Sequence, residues 1–86
     1  MKREDVYKLI DGEREYQDAH HQLILEQCRD GEHSIADWTI YVEVHLMKAK
    51  YYIYDFKYGA ALEEIRKIAA LCVACMEHNE TKSRPL

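Results

Sequence analysis

The sequence lacks any apolar run near the roughly 20 residues needed to cross a bilayer, so no membrane span is expected. No signal-peptide core follows the charged start Met1-Lys2-Arg3-Glu4-Asp5, and a cytoplasmic protein is expected. Glycine and proline are scarce, three and one in 86 residues, which argues against a disordered chain. No Gly-rich phosphate loop, no G-x-S-x-G and no Ser/His/Asp arrangement is present, so nucleophilic catalysis has no support. No block of Lys and Arg stands out among twelve basic and sixteen acidic residues, and the net charge of −4 makes nucleic acid an unexpected partner. Cysteine is odd in number at three, with Cys72 and Cys75 on one helical face, which argues against a disulfide framework and for reduced, buried thiols.

What remains is a chain 48% hydrophobic and 33% charged, the profile of a folded helical domain. A chain this short buries only about 60–65% of the surface it exposes when unfolded. A lone three-helix core would therefore be marginal, and self-association is expected from the outset. We read one helical domain over residues 1–79 and a flexible tail over 80–86, where Pro85 lies.

The first segment, from about Glu4 to about Arg29, places Val6, Leu9/Ile10, Glu13, Tyr16/Gln17, His20, Leu23/Ile24 and Gln27/Cys28 on one helical stripe. Gly12 and the polar entries Glu13 and His20 weaken it, and Asp18 to His21 is its most breakable stretch. Gly31, in Asp30-Gly31-Glu32-His33, is the expected left-handed stop. Ser34 with Asp37 three residues later is a capping-box arrangement that opens a second helix from Ile35 to about Tyr54.

That second helix carries Trp38, Tyr41, His45, Ala49, Tyr52 and Ile53 on one stripe, with Ile40, Val44, Met47, Tyr51 and Tyr54 elsewhere on its girth. A helix so widely apolar needs cover on more than one side. We therefore expect a second copy to pack on it, through an interface containing Trp38, Tyr41, His45, Tyr51 and Tyr52. The short link Asp55 to Gly59 makes the next helix antiparallel. In that third helix, from Ala60, residues Leu62, Ile65, Ile68, Ala69, Cys72, Cys75 and Met76 form the expected core stripe, and Asn79 the expected left-handed cap. The expected fold is all-α: a small antiparallel helical bundle completed by dimerisation.

Cys72-x-x-Cys75 lies mid-helix on that stripe, where packing is the expected role rather than zinc or redox chemistry. Of the five histidines, His20, His21, His33, His45 and His78, His45 sits on the apolar side of the second helix and is the one most expected to be buried. Carboxylates are the more serious candidates, since several converging on one spot could hold Mg²⁺ through oxygen ligands. Glu15 and Asp18 share a helix face; Glu43 lies in the second helix; Glu63 and Glu64 open the third. Glu63 and Lys67 are also a favourable i,i+4 pair, the plain structural account of both.

At HSIADW (His33 to Trp38) and ALEEIRKIAALCVACMEHN (Ala61 to Asn79), with EREYQD (Glu13 to Asp18) ahead of them, the chain resembles the small MazG-like proteins often encoded by phages and prophages. The resemblance implies an all-α protein assembling as a dimer or tetramer, with a nucleotide-sized cleft and Mg²⁺-dependent hydrolysis of nucleoside triphosphates to monophosphate and pyrophosphate. Active members carry E-x-x-E on one helix and E-x-x-D on the next. Here Glu64 matches the Glu of the second motif but Lys67 stands where its Asp should be, and Glu43 is followed by Leu46 and Met47 at i+3 and i+4. A lysine adds positive charge where a divalent cation must bind. The resemblance thus implies a degraded metal site of Glu64, Glu43, Glu15 and Asp18, and leaves Lys67 and Arg66 to meet a nucleotide phosphate directly. The competing expectation is a non-catalytic helical interaction protein that binds a host partner.

Overall fold

The computed structural model describes residues 1–24 and 34–85, with residues 21–24 described by backbone alone. Three helices follow one another: α1 (Arg3–Ile24), α2 (Ile35–Tyr54) and α3 (Tyr58–His78). Among the described residues there is no strand, so the chain is all-α as expected. The expected Gly31 stop, the expected helical stretch 25–29, Cys28 and His33 lie outside what is described, as does the side chain of His21.

Local signals account for most of the helix ends. Helix α1 runs unbroken through Gly12 and through Asp18 to His21, although Gly costs about 1 kcal/mol against Ala in a helix interior. At the start of α2 the Ser34 hydroxyl accepts from the Asp37 amide at 3.2 Å, and the Asp37 carboxylate accepts from the Ser34 amide at 2.9 Å. The capping box is complete. Between α2 and α3 the chain reverses in three residues, and Phe56 takes a φ of 58°, a left-handed conformation that costs a bulky L-residue about 1–2 kcal/mol. Helix α3 therefore begins at Tyr58, two residues before the expected start. At its far end Asn79 is extended (φ −135°, ψ 122°) rather than left-handed. Its side-chain amide donates to the Cys75 carbonyl at 2.8 Å, which satisfies an orphan carbonyl without a turn residue.

Helix α3 is the centre of the arrangement, with α2 packed along one flank and α1 along the other. The α2 side is apolar: Trp38, Leu71 and Ala74 form the buried cluster, with Tyr41, Val42 and Cys75 packed against it. Trp38 meets Tyr41 edge-on at 6.1 Å and stacks on the His78 ring at 5.9 Å. The α1 side is polar. Arg14 donates to both Glu77 oxygens at 3.0 and 3.2 Å while also pairing with Asp18, and Gln17 donates to the Lys67 carbonyl at 3.2 Å. Burial lowers the Arg14 pKa, but hydrogen bonds to Glu77 and Asp18 outweigh it and hold the guanidinium above its ordinary value.

The buried face of α3 differs from the expected one. Buried residues are Ala61, Glu64, Ala70, Leu71 and Ala74, whereas Leu62 is 69% exposed and Ile65, Cys72 and Met76 are also exposed. The core face is rotated by about one residue, or 100°, from the apolar stripe. Small alanines let two helices approach α3 closely, and the bulky aliphatic residues are turned outward. Cys72 accordingly lies outside the core and Cys75 at its edge. No described helix is long and apolar enough to cross a membrane.

Candidate functional site

Rotation of α3 brings Glu64, the residue nearest to a family motif, into the interior at 4% exposure. A carboxylate so placed needs partners, because burying an unpaired charge costs several kcal/mol. It has two. His45, from the inner face of α2, places Nδ1 2.6 Å from Glu64 Oε2. Lys67, one turn along α3, donates from Nζ to Oε1 at 3.3 Å. Burial alone would raise the Glu64 pKa, but hydrogen bonds from His45 and then Lys67 dominate and hold it below the ordinary carboxylate value.

This cluster borders a cleft of about 210 Å³ between the three helices. Helix α1 contributes Glu13, Tyr16, Gln17 and His20 to its wall, α2 contributes His45, and α3 contributes Lys67 and Leu71. The Tyr16 and His20 rings are stacked at 3.8 Å. His20 Nδ1 lies 2.9 Å from the Tyr16 carbonyl, which can only accept, so Nδ1 carries the proton and Nε2 is left as an acceptor. The same logic orients Gln17: its amide nitrogen donates to the Lys67 carbonyl, so its Oε1 is the other head atom, buried and without a partner among the described residues. A small polar ligand entering the cleft would meet a cation, imidazole rings and the acidic residue Glu13, while the Gln17 Oε1 atom is closed off beneath the wall.

The remaining expected site residues do not join this cluster. Glu43 is exposed on α2, Glu15 is exposed on α1, and exposed Asp18 is taken by Arg14. Arg66 is not part of the cleft wall and pairs at 3.4 Å with Glu13, which is. Among the described residues no three of His, Cys, Asp and Glu come together as a cation site. The four carboxylates expected around Mg²⁺ therefore do not converge within one described chain, for two physical reasons. Glu64 is turned inward and consumed by His45 and Lys67, and the others sit on solvent-facing sides of α1 and α2. The donor set that does converge, one carboxylate with both oxygens engaged, an imidazole and an ammonium, does not fit Mg²⁺, which needs open oxygen ligands in octahedral array.

The expected interface residues also divide. Trp38 is 5% exposed inside the chain's own core, and Tyr41, His45 and Tyr52 are half-buried. Of the five, Tyr51 alone is openly exposed, at 72%. His45, expected to be buried, is half-buried; its role as the partner of Glu64 cannot be read from spacing, because it depends on which face α3 turns toward α2. A comparison of the whole chain with family models, with curated proteins and with solved structures finds no match to any of the three.

Proposed function

We propose that this chain is a MazG-like helical protein that binds nucleotide at the cleft beside Glu64 without supporting divalent-metal hydrolysis. The observation that carries the reading is the engagement of both Glu64 oxygens, at 2.6 Å by His45 and at 3.3 Å by Lys67, beside a cleft lined by polar and aromatic residues. In a metal-dependent site that carboxylate would face the cation. Here it anchors two nitrogen groups at the cleft wall.

Two parts of the wall suit parts of a nucleotide. Lys67 Nζ, about one-third exposed, can turn from Glu64 to a phosphate oxygen at little cost. The stacked Tyr16 and His20 rings offer a flat face for a base. A volume of 210 Å³ is below the ~300 Å³ usual for small-molecule sites, so the cleft takes one moiety and leaves the rest of the ligand on the surface. A cytoplasmic setting accords with the free thiols of Cys72 and Cys75.

The test is a panel of ribo- and deoxynucleoside triphosphates, with Mg²⁺ and separately with EDTA, read by pyrophosphate release and melting temperature. The expected result is a nucleotide-dependent rise in melting temperature that survives EDTA and is lost in Lys67→Ala, with no pyrophosphate. No thermal response to any nucleotide would remove the reading. A second reading, a non-catalytic interaction protein, is favoured by the exposed apolar residues of α2, and it predicts that absence of response.

A further inference from the structure

We infer that the groove between the second half of α3 and the start of α2 is a copper(I) site, with the Cys72 and Cys75 thiolates and the Met76 thioether as its ligands. The inference is independent of the nucleotide reading, because no residue of this groove lines the cleft beside Glu64.

Residues 72, 75 and 76 stand at i, i+3 and i+4, so one face of α3 carries three sulfur atoms within little more than one turn. The rotation that buries the alanines of α3 turns this face to the edge of the core. Cys72 and Met76 are exposed and Cys75 is half-buried. All three line a groove of about 300 Å³ whose other wall is Trp38, Thr39 and Val42 of α2. Both thiols are free, and in this position a ligand can reach them, whereas thiols packed inside the core would be closed off.

The surroundings of the sulfur atoms are those of a ligand set. The Asn79 side-chain amide, which caps the Cys75 carbonyl, also donates to Cys75 Sγ at 3.9 Å. A hydrogen bond of this kind fixes the direction of a ligating atom and tunes its donor strength, the usual task of the outer partners around a metal. Trp38, held edge-on by Tyr41 and stacked on His78, gives the groove an indole wall, and an indole face attracts a cation. Burial first and Cys75 second raise the Cys72 thiol above its ordinary value, so Cys72 stays protonated until a cation displaces its proton.

The donor set selects the metal. Thiolate and thioether are soft ligands, which favour Cu(I) and are poor ligands for Mg²⁺ or Ca²⁺. A structural zinc site takes four ligands in tetrahedral array, and among the described residues no third His, Cys, Asp or Glu joins the two thiols. A methionine sulfur does not repair that deficit for zinc, but it completes a three-sulfur set for Cu(I). Binding forms S–Cu bonds at Cys72 and Cys75 as both thiol protons pass to solvent, and the Met76 sulfur donates a lone pair. Copper keeps its oxidation state, so no oxidant or reductant takes part.

The test is anaerobic titration of the reduced protein with Cu(I) alone, supplied as its complex with the chromophoric chelator bicinchoninate. The protein should take one equivalent of Cu(I) per chain from the chelator. Trp38 is the chain's one tryptophan, so its fluorescence should be quenched in step with that transfer and reports on the groove itself. Cys72→Ser should weaken binding at least about 100-fold and Met76→Leu about 10-fold, with the helical circular dichroism unchanged because both residues are exposed. Cys28→Ser should leave the affinity as it is. No transfer of Cu(I) from the chelator, binding that is lost with Cys28, or indifference to Cys72→Ser or Met76→Leu would each overturn the inference. Displacement of the copper by equimolar Zn²⁺, or equal affinity of the chain unfolded in urea, would do the same.

Discussion

Replacing Glu64 by Gln keeps the shape of the side chain and removes its charge, which isolates the electrostatics of the buried cluster. The carboxylate accepts from His45 at 2.6 Å and from Lys67 at 3.3 Å. A hydrogen bond to a charged group contributes about 1.5–3 kcal/mol. The Lys67 contact is discounted to at most about 1 kcal/mol, because that ammonium is about one-third exposed and screened by water. Gln can still accept one hydrogen bond through its oxygen, but its NH₂ group then faces the second donor. The net loss is about 1–3 kcal/mol, equivalent to roughly 5–20 °C in melting temperature for a chain of this size. The pH dependence supplies the sharper control. Because the folded-state pKa of Glu64 lies below its ordinary value of 4.5, its contribution is complete above that value and is lost as the pH falls through the depressed folded value. Urea titrations of the two proteins should therefore show a gap that is constant near neutrality and closes on acidification, where a protonated Glu resembles Gln. Equal stabilities at pH 7, or a gap that persists unchanged in acid, would refute the reasoning.

Other positions test the scaffold. Gly12 lies inside α1 with open space around the position of a Cβ, so Gly12→Ala should stabilise by about 1 kcal/mol in urea titration. Ser34→Ala removes half of the capping box and should cost about 1 kcal/mol, visible as a lower denaturation midpoint with an unchanged slope. Arg14→Ala removes the link from α1 to Glu77 and should speed amide hydrogen exchange in α1 more than in α2, since α1 has little apolar burial of its own against α3. Uniform exchange across the three helices would contradict that division.

Helix number, type and order are legible in the sequence because hydrophobic period and caps are local. Ser34 and Asp37 mark a helix start without reference to anything distant, and the short link after Tyr54 dictates an antiparallel return. The face of α3 is not legible. Leu62, Ile65 and Met76 outweigh Ala61, Ala70 and Ala74 in any reading by hydrophobicity, yet close approach of two helices selects the small residues and expels the large ones. A stripe of alanines flanked by larger aliphatic residues, on a helix between two neighbours, is the available signal. Once the face is displaced, Glu64 becomes interior and His45 becomes its partner across nineteen residues of sequence, a pairing that no spacing rule contains. The same displacement divides the expected interface residues: α2 is apolar all round, and only the packing of α3 shows that Trp38 is already covered within the chain while Tyr51 is left exposed.

The central claim is that Glu64 serves an internal cluster and is closed to a divalent cation. Calorimetric titration of Mg²⁺ into the wild-type protein at pH 7, with and without a nucleoside triphosphate, tests it directly. The account predicts no saturable heat attributable to the protein in either case, and identical traces for wild type and Glu64→Gln. Saturable Mg²⁺ binding that disappears in Glu64→Gln would contradict it.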